Sequence, residues 1–304
     1  NINKIIENSF YLVYISICEF TNPNYILQVS KEGINMELFK VEPVIPGITR
    51  IKMPYVCSYI VKGSDRAVLI DTGFGYGDLK SVVDELIDLP YDVICSHGHP
   101  DHAGGNGQYD TVYLPEGEFE LVKHGTKIET RHSTMNNVLR RFNKSFPKEN
   151  FLPQGDVKYI SYNEKDVFDL GGVTIRPVHL PGHTKGIMGF IIPELEVAML
   201  GDACANPTLL NLESSASIQE YRDALVKLSK LQKNFRVVLT QHNSFSEPLD
   251  VVKDNLYWAE RILLNSDDRL AVRMSGKESF VARNRNTSHY RGNAGNLVYT
   301  SESL

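Results

Sequence analysis

The sequence has few cysteines, and no two of them stand at a metal-binding or redox spacing. Its four cysteines, Cys18, Cys57, Cys95 and Cys204, are scattered along 304 residues without a C-x-x-C motif. This excludes a dense disulfide framework and a zinc site made of thiolates. No run approaches the ~20 consecutive apolar residues that a membrane-spanning helix requires. We therefore expect a cytoplasmic protein without a membrane partner.

Basic charge is also scarce. The chain carries 32 lysines and arginines against 37 aspartates and glutamates, which gives a formal net charge of -5. A broad positive face of the kind that binds nucleic acid is therefore not expected, and a small molecule is the more natural substrate. Hydrophobic residues make up 42% of the chain, and a chain of this length buries a core without disulfides.

The amino-terminal segment differs from the rest of the chain. Residues 10–20 (FYLVYISICEF) are apolar, but only Lys4 precedes them as a basic residue and no small-x-small cleavage site follows. These flanks do not favour a secretory signal peptide. Met36 opens a stretch typical of the beginning of a domain, and Lys31-Glu32-Gly33 can be encoded by a purine-rich sequence that resembles a ribosome-binding site. The hypothesis is that residues 1–35 are an upstream extension and that residues 36–304 form the domain.

From about Val44 onward, short β-rich runs alternate with helical stretches. The predicted strands are 55–61, 66–70, 91–95, 157–161, 173–178, 187–192, 197–200, 236–240, 279–282 and 296–299. The predicted helices are 78–88, 116–124, 127–144, 218–231 and 249–264. Two β-rich halves flanked by helices predict an α/β protein with a four-layered αββα sandwich.

One short segment concentrates side chains that bind metals. Four donors fall within six positions: His97, His99, Asp101 and His102. Imidazole nitrogens and carboxylate oxygens suit zinc, iron or manganese. Gly98 and Pro100 are expected to prevent a regular helix, so that the side chains splay around one point. Because four donors this close would crowd a single ion, two neighbouring ions would use them better.

Such a site needs donors from elsewhere in the chain. Three later residues are placed to supply them: His183, Asp202 and His242. Each lies at or just beyond the end of a predicted strand, and strand ends are rigid places from which side chains converge. We expect these three to meet the 97–102 segment.

These seven residues, in this order, resemble the ligand set of the metallo-β-lactamase superfamily. The first motif of that family, H-x-H-x-D-H, stands here at residues 97–102, and Ile70-Asp71-Thr72-Gly73 matches its strand-end signature. The resemblance covers residues 44–245 and is greatest to the glyoxalase II-type branch. It implies the metallo-β-lactamase fold.

The resemblance also implies how the donors divide between two divalent ions, zinc or else iron or manganese. The donors would be His97, His99 and His183 at one site, Asp101, His102 and His242 at the other, and Asp202 as a bridge. Two cations lower the pKa of a shared water from about 15.7 toward about 7, which makes a hydroxide at neutral pH. Asp101 and Asp202 would be the catalytic carboxylates, Asp101 by orienting the nucleophile or protonating the leaving group. Asp71 is expected to orient a ligand or its loop.

Other polar and aromatic residues are assigned ordinary roles. Four histidines are expected to be exposed or hydrogen-bonded within the structure: His124, His132, His179 and His289. Four basic residues near the carboxyl end are expected to form a solvated face, although they could clamp an anion: Lys277, Arg283, Arg285 and Arg291. Lys185 is expected to be exposed, and Cys204 to be a packed residue. Core packing or a pocket wall would explain Phe142, Phe146, Tyr159 and Tyr162 equally well.

The function implied is hydrolysis of an ester, thioester or related bond in a small molecule by a metal-bridged hydroxide. Small-molecule phosphodiesterases and lactonases of the same fold are alternatives, although residues 203–206 lack the tyrosine of quorum-signal lactonases. The basic signature for glutathione is not evident either. A mono-iron sulfur dioxygenase and a metal-binding module without turnover are alternatives of other classes. Flavin-linked di-iron oxidoreductases carry a glutamate in place of the second histidine of the H-x-H-x-D-H motif. This class is not favoured, because that position here is His99. Assembly as a homo-oligomer is left open.

Overall fold

The computed structural model describes residues 38–140, 145–274, 277–284 and 292–304. The proposed extension, residues 1–35, lies outside these ranges, so its status stays a prediction. Five further residues with an expected role also lie outside them: Cys18, Phe142, Arg285, His289 and Arg291. Within the described ranges, no helix combines the length and the apolar character that crossing a membrane requires.

The strands alternate with short helices along the chain. In chain order the strands are Lys40–Ile45 (β1), Ile48–Lys52 (β2), Cys57–Lys62 (β3), Ala67–Ile70 (β4), Tyr91–Ile94 (β5), Thr111–Pro115 (β6), Lys158–Tyr162 (β7), Phe168–Asp169 (β8), Thr174–His179 (β9), Met188–Ile192 (β10), Val197–Met199 (β11), Thr208–Leu210 (β12), Val237–Leu239 (β13), Ser246–Glu247 (β14), Leu270–Met274 (β15), Lys277–Val281 (β16) and Leu297–Tyr299 (β17). The α-helices are Leu79–Leu86 (α1), Pro100–Ala103 (α2), Phe119–Gly125 (α3), Ile128–Leu139 (α4), Ile218–Leu231 (α5) and Val251–Leu263 (α6).

The strands of the described ranges form three sheets. The first holds β1 to β7 in chain order, antiparallel up to β4 and parallel from there on. The second has the order β14-β13-β11-β10-β9-β8, in which β11 and β13 are parallel. A smaller third sheet has the order β12-β17-β16-β15. Parallel neighbouring strands end at the same edge of a sheet. The segments that follow β4 and β5 therefore begin side by side, and so do the segments that follow β11 and β13.

The first two sheets bury a shared core between them. Alternate side chains point into it, such as Tyr59 and Val61 from β3 and Phe190 from β10. The neighbouring Ile60 and Ile191 point away from it, into the cores beneath the outer helices. Because both faces of the central strands are covered, β4 and β10 carry no polar side chain along their whole length. The outer cores contain α1 and α3 on one side and α5 and α6 on the other. The predicted αββα sandwich is confirmed.

Helix α5 has the bounds predicted from the sequence. Ser217 caps it, since its hydroxyl accepts a hydrogen bond from the Glu220 N–H while the Glu220 carboxylate accepts one from the Ser217 N–H. This reciprocal arrangement gives partners to two backbone N–H groups that would otherwise be unpaired at the start of the helix. The helix predicted over 127–144 is α4, Ile128–Leu139, and its last predicted residues, 141–144, lie outside the described ranges.

The prediction that Pro100 prevents a helix is wrong. Pro100 is the first residue of α2, where its missing N–H is not needed and its fixed φ is already helical. His99 lies just before the helix in an extended conformation, and Asp101 and His102 lie within it. The donors therefore spread around a point because a helix begins in the middle of the motif.

Candidate metal centre

The segments that follow strands at one edge of the two large sheets carry all seven predicted donors. The 97–102 segment follows β5, His183 lies between β9 and β10, Asp202 follows β11, and His242 follows β13. The sheets are joined at this edge by a backbone hydrogen bond, in which the Met188 N–H donates to the Ser96 carbonyl at 3.0 Å. The fold thus brings together residues that are up to 145 positions apart in the sequence, from His97 to His242.

Three imidazoles form a first group of donor atoms. Nδ1 of His99 lies 3.1 Å from Nε2 of His97 and 2.9 Å from Nε2 of His183. These three residues form one of the clusters whose donor atoms all lie within 4.8 Å of one another. His97 and His183 are buried and His99 is half-buried. We call these three residues the three-histidine group.

Two imidazoles and a carboxylate form a second group. Nε2 of His242 lies 3.1 Å from Nε2 of His102 and 3.3 Å from Oδ2 of Asp101. These donor atoms also lie within 4.8 Å of one another. We call Asp101, His102 and His242 the mixed group.

Asp202 lies between the two groups. Its Oδ2 is 3.3 Å from Nε2 of His183 in the three-histidine group and 3.4 Å from Nε2 of His102 in the mixed group. Its Oδ1 is 3.5 Å from Nε2 of His242. One carboxylate thus reaches donor atoms of both groups.

Each of the five histidines has a hydrogen-bonding contact through its other ring nitrogen, away from the centre. In three of them the Nδ1–H donates to an oxygen that can only accept: His102 to Asp71 Oδ2 at 2.8 Å, His183 to the Leu209 carbonyl at 2.9 Å, and His242 to the Tyr55 carbonyl at 2.9 Å. In the other two the contact is with a hydroxyl: His97 with Ser96 at 3.0 Å and His99 with Ser214 at 3.1 Å. A neutral ring that donates outward presents a lone pair inward, which is the form that binds a metal.

The donor set fits divalent cations. Lone pairs on ring nitrogens that face each other at 2.9 to 3.1 Å repel unless a proton or a cation lies between them. Four ligands placed tetrahedrally at zinc distances stand about 3.3 Å apart, close to the separations found here. Imidazole and carboxylate donors also suit iron and manganese.

The protonation of the two groups differs. Burial lowers the pKa of His97 and His183, and it lowers that of His99 to about 3, so the three-histidine group is neutral. Burial alone would also lower the pKa of His102, but the nearby carboxylates, Asp101 foremost, outweigh it and raise the pKa to about 10. For His242, burial is likewise outweighed, mainly by the charge of Asp202, and its pKa is raised. Filling the mixed group with metal must therefore displace protons.

Solvent reaches the centre at its two carboxylates and at members of both groups, since His99 is half-buried as well. The side chains of Asp101, Asp202 and His242 are 13%, 17% and 14% exposed, whereas those of His97 and His102 are fully buried. A small molecule can therefore reach the carboxylates while the histidines beneath them stay packed.

The chain matches a protein-family model described as "Metallo-beta-lactamase superfamily" over residues 54–242. This chain belongs to the metallo-beta-lactamase superfamily. The matched segment contains all seven donors, and the family predicted from the sequence is confirmed. A solved structure of a "Beta-lactamase domain protein from Burkholderia ambifaria" aligns with a TM-score of 0.54 at 17% identity, covering 74% of this chain and 76% of that one. At this identity the likeness shows the fold alone.

Curated members of the superfamily are similar to this chain at low identity. It is 25% identical over 186 residues to the acyl-coenzyme A thioesterase MBLAC2 of Bos taurus, covering 57% of this chain and 67% of that protein. It is 28% identical over 150 residues to the hydroxyacylglutathione hydrolase GloC of Haemophilus influenzae, covering 48% of this chain and 65% of that protein.

The superfamily signature at the end of β4 contacts the centre through Asp71. Its carboxylate accepts hydrogen bonds from the N–H and the hydroxyl of Ser96 at 2.7 and 2.9 Å, and from the Gln241 amide at 2.9 Å, besides the bond from His102. Asp71 adopts a left-handed backbone conformation with φ of 61°, which is unfavourable for a residue with a Cβ. Four hydrogen bonds to the side chain offset this cost.

Among the residues that contact the donors or their loops, three were assigned no role from the sequence: Glu118, Ser214 and Gln241. Gln241 directly precedes His242, which was the available signal. Glu118 and Ser214 lie in segments without a motif, and only the fold brings them to the centre.

Residues that were given ordinary roles lie away from the donor groups. His124 is exposed, His132 is half-buried, and Nε2 of His179 donates to the Lys185 carbonyl at 2.9 Å. Lys185 and Lys277 are exposed and Arg283 is half-buried. The remaining residues pack in the cores: Phe146, Tyr159, Tyr162 and Cys204, the last a free thiol.

Proposed function

We propose that this chain is a metal-dependent hydrolase that cleaves a thioester or an activated ester in a small molecule. The observation that carries the proposal is the convergence of five imidazoles and two carboxylates on one solvent-reachable point. A structural metal site is closed, whereas a catalytic one leaves a position that a substrate reaches. The partial exposure of Asp101, Asp202 and His242 favours the second kind.

The proposed ligands follow the two groups. The three-histidine group would hold one divalent ion and the mixed group a second, with Asp202 shared between them. Zinc is the first candidate because imidazoles make up five of the seven donors. When bound, such a pair supplies a nucleophile from water at neutral pH and polarises the substrate oxygen.

The protein's own carboxylates direct the reaction. Burial raises the pKa of Asp101, but in the metal-free centre the charges of His102 and His242 outweigh it and lower the pKa to about 2. A bound cation in place of those protons would favour the same ionised form. An ionised and partly exposed Asp101 accepts a hydrogen bond from the attacking group and sets its direction. Asp202 lies between the two groups and sets the distance that separates them. Asp71, Leu209 and Tyr55 hold the rings of His102, His183 and His242 through their Nδ1–H groups.

The acyl substrate class is supported by the relatives. One is a thioesterase of acyl-coenzyme A and the other a hydrolase of hydroxyacylglutathione. Both act on an acyl group carried by a thiol cofactor or peptide, although their low identity leaves the acyl group and its carrier undefined for this chain. The small-molecule substrate and the cytoplasmic location stay predictions, and assembly as a homo-oligomer is left open.

A substrate panel on the zinc-loaded protein tests the proposal. The panel contains acyl-coenzyme A, an acylated glutathione, an aryl ester, a lactone and a bis-aryl phosphodiester. We expect the highest kcat/KM for a thioester or the aryl ester, with loss of at least about 100-fold in Asp101→Asn because it removes a group at the reacting centre. Preference for the phosphodiester or the lactone would redirect the proposal within hydrolases. Oxygen uptake with a persulfide by an iron-loaded protein, or bound metal without any turnover, would refute it.

A further inference from the structure

Glu118 is a buried carboxylate beside the centre that is not one of the seven donors. It lies just before α3, and only 1% of the residue is exposed. Its Oε2 accepts a hydrogen bond from the Gly98 N–H at 2.9 Å. Its Oε1 accepts two, from the Thr184 hydroxyl at 2.6 Å and from the Gly186 N–H at 2.8 Å. Both oxygens are therefore used, and all three donors lie in two loops.

These two loops carry the three-histidine group. Gly98 lies between His97 and His99, and Thr184 directly follows His183. The loops come from different sheets, since one follows β5 of the first sheet and the other joins β9 to β10 of the second. One carboxylate thus connects the two parts of the chain that must keep a fixed separation for the three imidazoles to meet.

The backbones approach Glu118 so closely that only glycine fits at two of the positions. A Cβ on Gly186 would lie 2.7 Å from Oε1 of Glu118 and 2.8 Å from the carbonyl carbon of Gly117. A Cβ on Gly98 would lie 2.8 Å from the Val122 nitrogen and 3.1 Å from the Glu118 carbonyl oxygen. The missing side chains let the backbone N–H groups of both loops reach the same buried carboxylate.

We propose that Glu118 is a positioning residue that sets the geometry of the three-histidine group by binding both loops, an inference that rests on the proposed metal centre. Within the described part of the chain, the hydrogen bonds of the Glu118 carboxylate all go to those two loops and none to the mixed group. His102 in the mixed group is instead held by Asp71. Loss of Glu118 therefore weakens metal binding at the three-histidine group and leaves the mixed group unchanged.

Cobalt(II) titration of the metal-free protein, followed by absorption spectroscopy, tests this inference without measuring turnover. In Glu118→Gln one carboxylate oxygen becomes an N–H2 donor that faces an N–H or hydroxyl donor of the loops. We expect about 10- to 100-fold weaker cobalt binding, the usual effect of removing a partner that orients ligands. The measurement is made in a His242→Ala background, which keeps the three-histidine group intact, and in a His99→Ala background, which keeps the mixed group intact. The effect is expected in the first background alone.

Glu120→Gln is the matched control, because Glu120 lies two residues after Glu118 in the first turn of α3, is exposed, and pairs with Lys123. It is expected to bind cobalt like the parent protein. Should Glu118→Gln fail to fold, Thr184→Val and Thr184→Ser form a milder pair. The first removes the hydroxyl that donates to Glu118 and the second keeps it, so only the valine variant should weaken binding. Thermal unfolding of the metal-free variants detects a loss of stability without a change in metal binding.

The outcomes separate this inference from the proposed function. If the parent protein binds no cobalt at either group, the metal centre itself is wrong. If the parent protein binds cobalt at both groups but Glu118→Gln and Thr184→Val keep its affinity and spectrum, the positioning role is wrong and the centre stands. The same conclusion holds if these variants unfold at lower temperature with unchanged cobalt affinity, since that result assigns Glu118 to stability alone.

Discussion

Nδ1 of His102 donates a 2.8 Å hydrogen bond to Oδ2 of Asp71, and neither side chain is exposed. This bond turns Nε2 of His102 toward His242 and Asp202, where the mixed group forms. Asp71 directly follows β4 and His102 lies in α2, so the bond also joins the strand end to the helix that carries two donors. The ring orientation of a ligand is thereby fixed by a residue that is not one of the seven donors.

Replacing Asp71 by asparagine tests this relationship. Oδ2 of Asp71 accepts from three donors, and an amide group at this position offers only one accepting oxygen for all four bonds. We expect metal affinity at the mixed group to fall about 10- to 100-fold and that at the three-histidine group to fall less, because Asp71 reaches the latter only through the Ser96 hydroxyl that contacts His97. Competition with a chromophoric chelator measures this. Asp250→Asn, at an exposed aspartate, is the control; equal affinity in Asp71→Asn and the parent protein would refute the role.

Asp202→Asn is expected to affect both groups. Its carboxylate lies within 3.5 Å of nitrogens from both the three-histidine and the mixed group, and an amide carries no charge to neutralise two cations. The number of bound metals per chain, measured by elemental analysis after dialysis, should fall from two to one or fewer. Retention of two tightly bound metals would show that Asp202 does not bridge.

His183→Ala and His124→Ala form a matched pair of histidine substitutions. His183 belongs to the three-histidine group, and its Nε2 lies 2.9 Å from Nδ1 of His99. His124 is exposed in the last turn of α3. We expect His183→Ala to lose one metal per chain and at least about 100-fold in kcat, because one of the ligands is removed. His124→Ala should match the parent protein in both measurements. An equal effect of the two substitutions would mean that His183 has no special role.

The buried carboxyl group of Glu247 is expected to make the free energy of unfolding depend on pH, independently of the metal centre. Burial raises its pKa to about 7, although its carboxylate accepts a hydrogen bond from the Asn206 N–H at 3.2 Å. The folded protein therefore holds this proton more tightly than the unfolded chain, so stability is lost as the pH rises from about 4.5 to about 7. Glu247→Gln should be more stable than the parent protein by about 2 kcal/mol at pH 8 and by much less at pH 5.

Urea unfolding of the metal-free proteins at both pH values measures this difference. Glu278→Gln, at an exposed position of β16, should show no such pH-dependent gain. A stability difference that is the same at pH 5 and pH 8 would mean that Glu247 ionises normally.

The ligand candidates and the fold were largely predictable from the sequence, because histidine and aspartate spacing and apolar periodicity are local signals. The hairpin of β1 and β2 was missed, since Pro43 lies within β1 and proline weakens a strand prediction unless the strand is at an edge. Glu118 could not be found this way. Two of its three donors are backbone N–H groups, and they reach it only after two sheets have packed together.

Anomalous diffraction from crystals of the zinc-loaded protein measures the central claim most directly. We predict two zinc peaks, one among His97, His99 and His183 and the other among Asp101, His102 and His242, about 3.5–4 Å apart as in other two-metal sites. A map without a peak among these side chains, or with zinc bound only elsewhere on the protein, would contradict the proposed centre.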